Sequence, residues 1–106
     1  MAMINNQKEL TRGDTGLYTI TLYDSDGSEY IPDENEIVTF YLLKKNCDDL
    51  ADAILIKDIP TDTMLLELEP SDTANLQTAT YPYRIRLRDA VGHEWTVIKS
   101  QIKIIC

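Results

Sequence analysis

Apolar and polar residues alternate with a period of two along nearly the whole chain, and the helical period of 3.6 is almost absent. A strand puts successive side chains on opposite faces, so this pattern confines the chain to sheets with one face buried. From Leu17 to Tyr23 the sequence reads LYTITLY, with Tyr18, Ile20 and Leu22 on one side and Thr19 and Thr21 on the other. The cleanest alternation is YPYRIRLRD, which turns Tyr83, Ile85 and Leu87 inward and Arg84, Arg86 and Arg88 outward, with Pro82 expected at the strand start where its missing amide does least damage.

Between these runs stand turn formers. DSDG at 24-27 supplies Asp and a Gly able to take a positive φ, as a hairpin needs, and Pro32 ends the short segment SEYI that follows. Residues 37-44, IVTFYLLK, place Val38, Phe40 and Leu42 on one face and Ile37, Tyr41 and Leu43 on the other. With both faces apolar, that strand is either covered on both sides or lies at an interface. AILIKDI (53-59) and TMLLELE (63-69), separated by PTD, read as a hairpin whose second strand buries Met64, Leu66 and Leu68.

PSDTANLQ carries the chain's helix-start chemistry, with Ser71 or Asp72 as cap of one helical turn and Leu76 dropping onto the core. DAVG (89-92) turns the chain into HEWTVIK, with Trp95 and Val97 inward, and QIKII closes with Ile102 and Ile104 aligned. About seven short strands at spacings of roughly 8-12 residues predict an all-β, immunoglobulin-like antiparallel β-sandwich with one short helical turn. The expected core is Tyr18, Ile20, Leu22, Val38, Phe40, Leu42, Leu66, Leu68, Ile85, Leu87, Trp95 and Val97. At 106 residues the chain has the size of one domain, taken as 1-106.

Charge narrows the partners. Eighteen acidic against ten basic residues give a formal net charge of -8, which argues against a phosphate backbone as ligand. The N-terminus lacks the charge and apolar run of a signal peptide, and no window approaches the ~18 apolar residues of a membrane span. Cys47 and Cys106 lie far apart without metal-ligand spacing, leaving two free thiols or a single disulfide as the alternatives.

Catalytic signatures are missing. There is one histidine, His93, beside a turn glycine, and the sequence has no glycine-rich phosphate loop, nucleophile elbow or metal-ligand cluster. A non-enzymatic domain without metal or cofactor is the reading that follows. Counting from Asp24 as the first ligand of a calcium loop, the twelfth residue is Asn35 where a bidentate Glu is required, so 24-27 is read as a turn. Asp48, Asp49 and Asp52 are read as a solvated acidic loop. Arg12-Gly13-Asp14 matches the tripeptide that integrins recognise, but it also reads as a strand-entry turn, with Thr11 and Asp14 bonding locally and Gly13 at positive φ. The Arg84/Arg86/Arg88 row, with Lys99 and Lys103, pairs with Glu67 and Glu69 of a neighbouring strand or docks on an acidic partner.

The order LTRGDTGLYTITLYDSDGSEY, then VTFYLLKK, then LLELEPSDTANLQTATYPYRIRLRDAVGHEWTVI resembles the small N-terminal β-sandwich domain of phage baseplate upper proteins and related small prophage tail proteins. Arg12-Gly13-Asp14-Thr15 matches that family's opening, Asp26-Gly27 its first hairpin, Glu69 to Thr73 its capped turn, and Tyr81, Tyr83 and Ile85 the following strand. The resemblance implies a virion structural protein, a tail or baseplate adaptor made in the bacterial cytoplasm of the host. Its partners would be itself, as a homo-oligomer, or neighbouring tail proteins, with Ile37, Tyr41 and Leu43 or an unpaired sheet edge as the contact surface. The alternative is a β-sandwich module of a bacterial surface or carbohydrate-binding protein, using Tyr23, Tyr30 and Tyr81.

Overall fold

A computed structural model describes residues 8–45 and 48–106, so Cys47 lies outside the described residues. The protein is all-β. Among the described residues nine strands follow in chain order: β1 (Lys8–Thr11), β2 (Gly16–Thr19), β3 (Leu22–Tyr23), β4 (Glu29–Tyr30), β5 (Ile37–Leu42), β6 (Leu55–Ile59), β7 (Leu65–Leu68), β8 (Ala79–Arg88) and β9 (Glu94–Ile105). One helical turn, α1 (Pro70–Thr73), precedes β8, and a 3-10 turn at Leu50–Asp52 lies in the acidic connection.

Five strands form the main sheet in the order β1-β9-β8-β5-β6, and two separate ribbons, β2-β7 and β3-β4, complete a half-barrel. The inner face of the sheet buries Leu10, Val38, Phe40, Ile59, Tyr83, Ile85, Ile98, Ile102 and Ile104, and the core also takes in Ile20, Leu22, Leu66 and Leu68. Phe40 and Tyr83 stack tilted, their ring centroids 5.3 Å apart. Every inward residue of β8 from Tyr81 to Leu87 is buried, as its alternation requires.

Several expectations are corrected. The sheet is mixed, because β1 runs parallel to β9, with Lys8 opposite Ile102 and Thr11 opposite Ile105. The run 17–23 is two strands, β2 bonded to β7 and β3 to β4, and the chain changes partners at Ile20, whose amide donates to Met64 O at 2.8 Å. β6 and β7 form no hairpin: β6 pairs with β5 and β7 with β2. The connection closes through Met64 N–H to Pro60 O at 2.7 Å with Met64 at φ 50°, a left-handed backbone that costs a non-glycine residue about 1 kcal/mol. That turn sends the chain out of the main sheet, and it leaves Met64 only partly buried.

HEWTVIK and QIKII are one strand, β9, interrupted by a bulge opposite Ile85 and Arg86. The extra residue lets Val97 and Ile98, sequence neighbours, both be buried. Trp95, expected in the core, stands opposite Leu87 at the end of the sheet and is 44% exposed. Tyr18 is likewise partly buried, packed against the core from outside. Pro82 is the fourth residue of β8 and not its first. Its carbonyl accepts from Leu43 N–H at 2.9 Å, so its missing amide faces the side where β5 has just ended and no ladder bond is lost.

The turns follow the sequence closely. Gly27 (φ 89°) closes the β3-β4 hairpin with Gly27 N–H to Asp24 O at 2.9 Å, and Gly92 (φ 95°) does the same with Asp89 O at 3.2 Å. In α1 the cap is neither Ser71 nor a forward bond from Asp72. The Asp72 carboxylate reaches back to accept the Glu69 N–H at 2.7 Å, and it also pairs with Lys57 Nζ at 2.8 Å, tying α1 to β6. Leu76 packs on the core as expected.

Alkaline stability tests two phenols. Burial pushes Tyr83 up to about 12, against the Ser100 hydrogen bond that lowers it. Tyr30 rises to about 12 because its hydroxyl donates to both Glu36 carboxylate oxygens, at 2.6 and 2.7 Å, with burial and nearby carboxylates adding to the effect. A raised folded value means the native state holds its proton longer than the unfolded chain. The stability from these phenols is therefore complete below the ordinary value of 10.0 and is lost as pH climbs to about 12. Denaturant midpoints measured across that interval should fall steeply, and Tyr30→Phe should flatten part of the fall; an equally steep profile in the variant would refute the Tyr30 share.

Candidate functional site

The outward face of the main sheet is the surface on which the sequence-derived candidates can be placed. Register fixes its rows. One row reads Lys99, Arg84, Tyr41, Ile56 across β9, β8, β5 and β6; the next reads Thr96, Arg86, Thr39, Asp58; the third reads Glu94, Arg88, Ile37. Ile56 (54% exposed) lies beside half-buried Tyr41, Ile54 (41%) just precedes β6, and Ile37 (47%) lies two rows from Tyr41 with Thr39 between them, in a polar sheet face.

The three proposed contact residues separate here. Ile37 and Tyr41 share the outward face, but Leu43 is fully buried. β5 ends at Leu42, and the next residue leaves the alternation, so Leu42 and Leu43 are both buried in succession. Leu43 is therefore removed from the contact surface. Ile54 and Ile56 join it instead, and only the pairing of β6 with β5 could have shown that. Of the two readings of β5, cover on both faces within the domain is not what is seen, since Ile37 is open to solvent.

The basic row does not face Glu67, which lies in β7 of the β2-β7 ribbon, or Glu69, which follows β7 and opens α1. Its neighbours are β5 and β9, which offer Glu94, 3.6 Å from Arg86 Nη2. Arg84 stands directly opposite Lys99, a like-charge pair that costs stability, and among the described residues no carboxylate pairs with Arg84, Arg88 or Lys99. Arg86 Nε is buried without a hydrogen-bond partner among the described residues. Tyr41 and Ile56 thus continue the row of Arg84 and Lys99, two cations with no carboxylate partner among the described residues.

No protein-family model, curated protein or solved structure matches this chain.

The other candidates have structural duties. Arg12-Gly13-Asp14 is a turn tied down at three points: Asp14 N–H donates to Thr11 O at 3.0 Å, Gly13 N–H (φ 84°) to the hydroxyl of fully buried Thr73 at 3.0 Å, and Arg12 Nη1 to Leu76 O at 3.2 Å. The tripeptide locks β1 onto the α1 region. His93 is exposed and sits 3.1 Å from Asp89 through Nδ1, while the Asp89 carboxylate also accepts the Val91 and His93 amides. Those bonds hold Asp89 below the usual carboxylate range despite the opposing effect of burial. Among the described residues no group of three or more His, Cys, Asp or Glu could hold a metal ion. Asp48 accepts the Lys45 amide at 3.0 Å, closing the acidic loop on itself. Cys106 is a free, exposed thiol. Of the three tyrosines named for a sugar groove, Tyr81 is buried with its hydroxyl donating to Gln77 O at 2.7 Å, and Tyr30 is committed to Glu36. No helix among the described residues is long and apolar enough to cross a membrane.

Proposed function

We propose that the protein is a non-enzymatic assembly module that docks through the outward face of its main sheet. Following the order of its motifs, we place it as a tail or baseplate adaptor of a phage or prophage virion, joined to copies of itself or to a neighbouring tail protein. The observation that carries the docking reading is the group of Ile37, Tyr41, Ile54 and Ile56 on a sheet face that would otherwise be polar. Covering it removes apolar area from water, and a partner bearing carboxylates would neutralise the Arg84-Lys99 repulsion at the same time.

The test is the native mass by light scattering across a concentration series with reductant, compared with the variant Tyr41→Asp/Ile56→Asp. Tyr41 faces Arg84 across the ladder, so a carboxylate there is accommodated and the circular dichroism spectrum should not change. The wild-type oligomer, or its complex with the product of a neighbouring gene, should be lost in the variant. Assembly that survives both carboxylates would overturn the sheet face as the interface.

A further inference from the structure

At the β8-β9 end of the molecule the structure holds an open cleft of about 480 Å³, lined by Trp95, Tyr30, Leu87 and Val91 with the carboxylates of Asp33, Glu36 and Asp89 and the amide of Asn35. Trp95 points to the inner side of the sheet, as its partner Leu87 does, yet it stays exposed among the described residues, with the His93 ring centroid 6.0 Å away. The opposite wall is the 32–36 loop, fixed by its own hydrogen bonds: Asn35 N–H to Asp33 Oδ1 at 2.8 Å, Asp33 N–H to Glu36 Oε1 at 3.1 Å, and the two bonds from Tyr30 to Glu36. The cleft is thus preformed, and among the described residues no Lys or Arg lines it.

Its chemistry selects the ligand. The carboxylates already accept bonds from Tyr30, Asp33, Asn35, Val91 and His93, so what they offer a ligand is chiefly their negative charge, from which a neutral sugar gains nothing. An ammonium or guanidinium only donates, carries the charge that three carboxylates attract, and stacks on an indole face. We propose that this cleft binds an arginine or lysine side chain presented by a partner polypeptide. The site is separate from the outward sheet face, so either surface can fail its test without the other.

Trp95 is the sole tryptophan, so intrinsic fluorescence reports the cleft directly. The probe is N-acetylarginine amide, titrated at low salt beside its neutral isostere N-acetylcitrulline amide and a neutral chito-oligosaccharide. A saturable change with the arginine compound and none with the citrulline compound is the expected result. Asp33→Asn/Glu36→Gln, which keeps the loop's acceptors while removing two charges, should weaken binding about tenfold or more, the scale of losing a charge-assisted hydrogen bond. Val91→Lys, at an exposed hairpin position that cannot disturb the core, should weaken it as well by placing a competing cation at the mouth. An equal response to citrulline, a response to the saccharide instead, or no saturable response to any probe would overturn the proposal.

Discussion

Leu43→Asp should unfold the domain, whereas Tyr41→Asp, two residues earlier, should leave it folded with stability changed by no more than about 1 kcal/mol. The two side chains sit within one turn of sequence and look alike in an alternation diagram. Leu43 is fully buried, and its amide is bonded to Pro82 O. A carboxylate at that position would be removed from water with no cation to meet it, at a cost on the order of 4 kcal/mol or more. Domains of this size have only about 5–15 kcal/mol in total. Tyr41 is half-buried on the outward face with Arg84 opposite, so its replacement trades a half-buried ring for an ion pair. Equilibrium denaturation of the two variants measures the contrast, and equal stabilities would mean that Leu43 is not packed as described.

Phe40→Ala should lower stability by about 3–5 kcal/mol, the usual cost of emptying a buried aromatic site. Phe40 is completely buried at the middle of the inner sheet face, opposite Ile85 of β8 and stacked on Tyr83. Neither neighbouring strand can collapse into the void, because both are held by continuous ladders on the same sheet. The melting temperature should fall by roughly 10 °C or more in a domain of this length. A loss below about 1 kcal/mol would show that the half-barrel adjusts far more freely than a close-packed interior does.

What could be read from the sequence divides along a physical line. The alternation in β8 settled which residues face inward, because period and burial are local consequences of one extended backbone. Gly27 and Gly92 marked their hairpins for the same reason: the positive φ is a property of the turn itself. Pairing is not local. Nothing near residues 60–64 announces that Met64 adopts a left-handed backbone and hands the chain to another sheet, so β6 and β7 were read as a hairpin. The bulge that buries Val97 with Ile98 shifts every later side chain by one place relative to its partner, whereas Trp95, which precedes it, faces inward but lies at the end of the sheet, over a cleft. Of the contact surface, Ile37 and Tyr41 were legible as an apolar face of β5. Ile54 and Ile56 were not, because their membership depends on which strand lies alongside. The acidic cleft was equally hidden, since it is made by 30–36 and 89–95, joined only by the fold.

The parallel pairing of β1 with β9 has a kinetic consequence. Lys8 meets Ile102 across 102 − 8 = 94 positions of chain. Closing so long a loop is entropically slow, and no shorter piece of chain can stand in for the missing neighbour. During synthesis β1 emerges well before β9 and must wait for it, with its backbone donors and acceptors unclaimed. The sheet is completed by its oldest and youngest segments together.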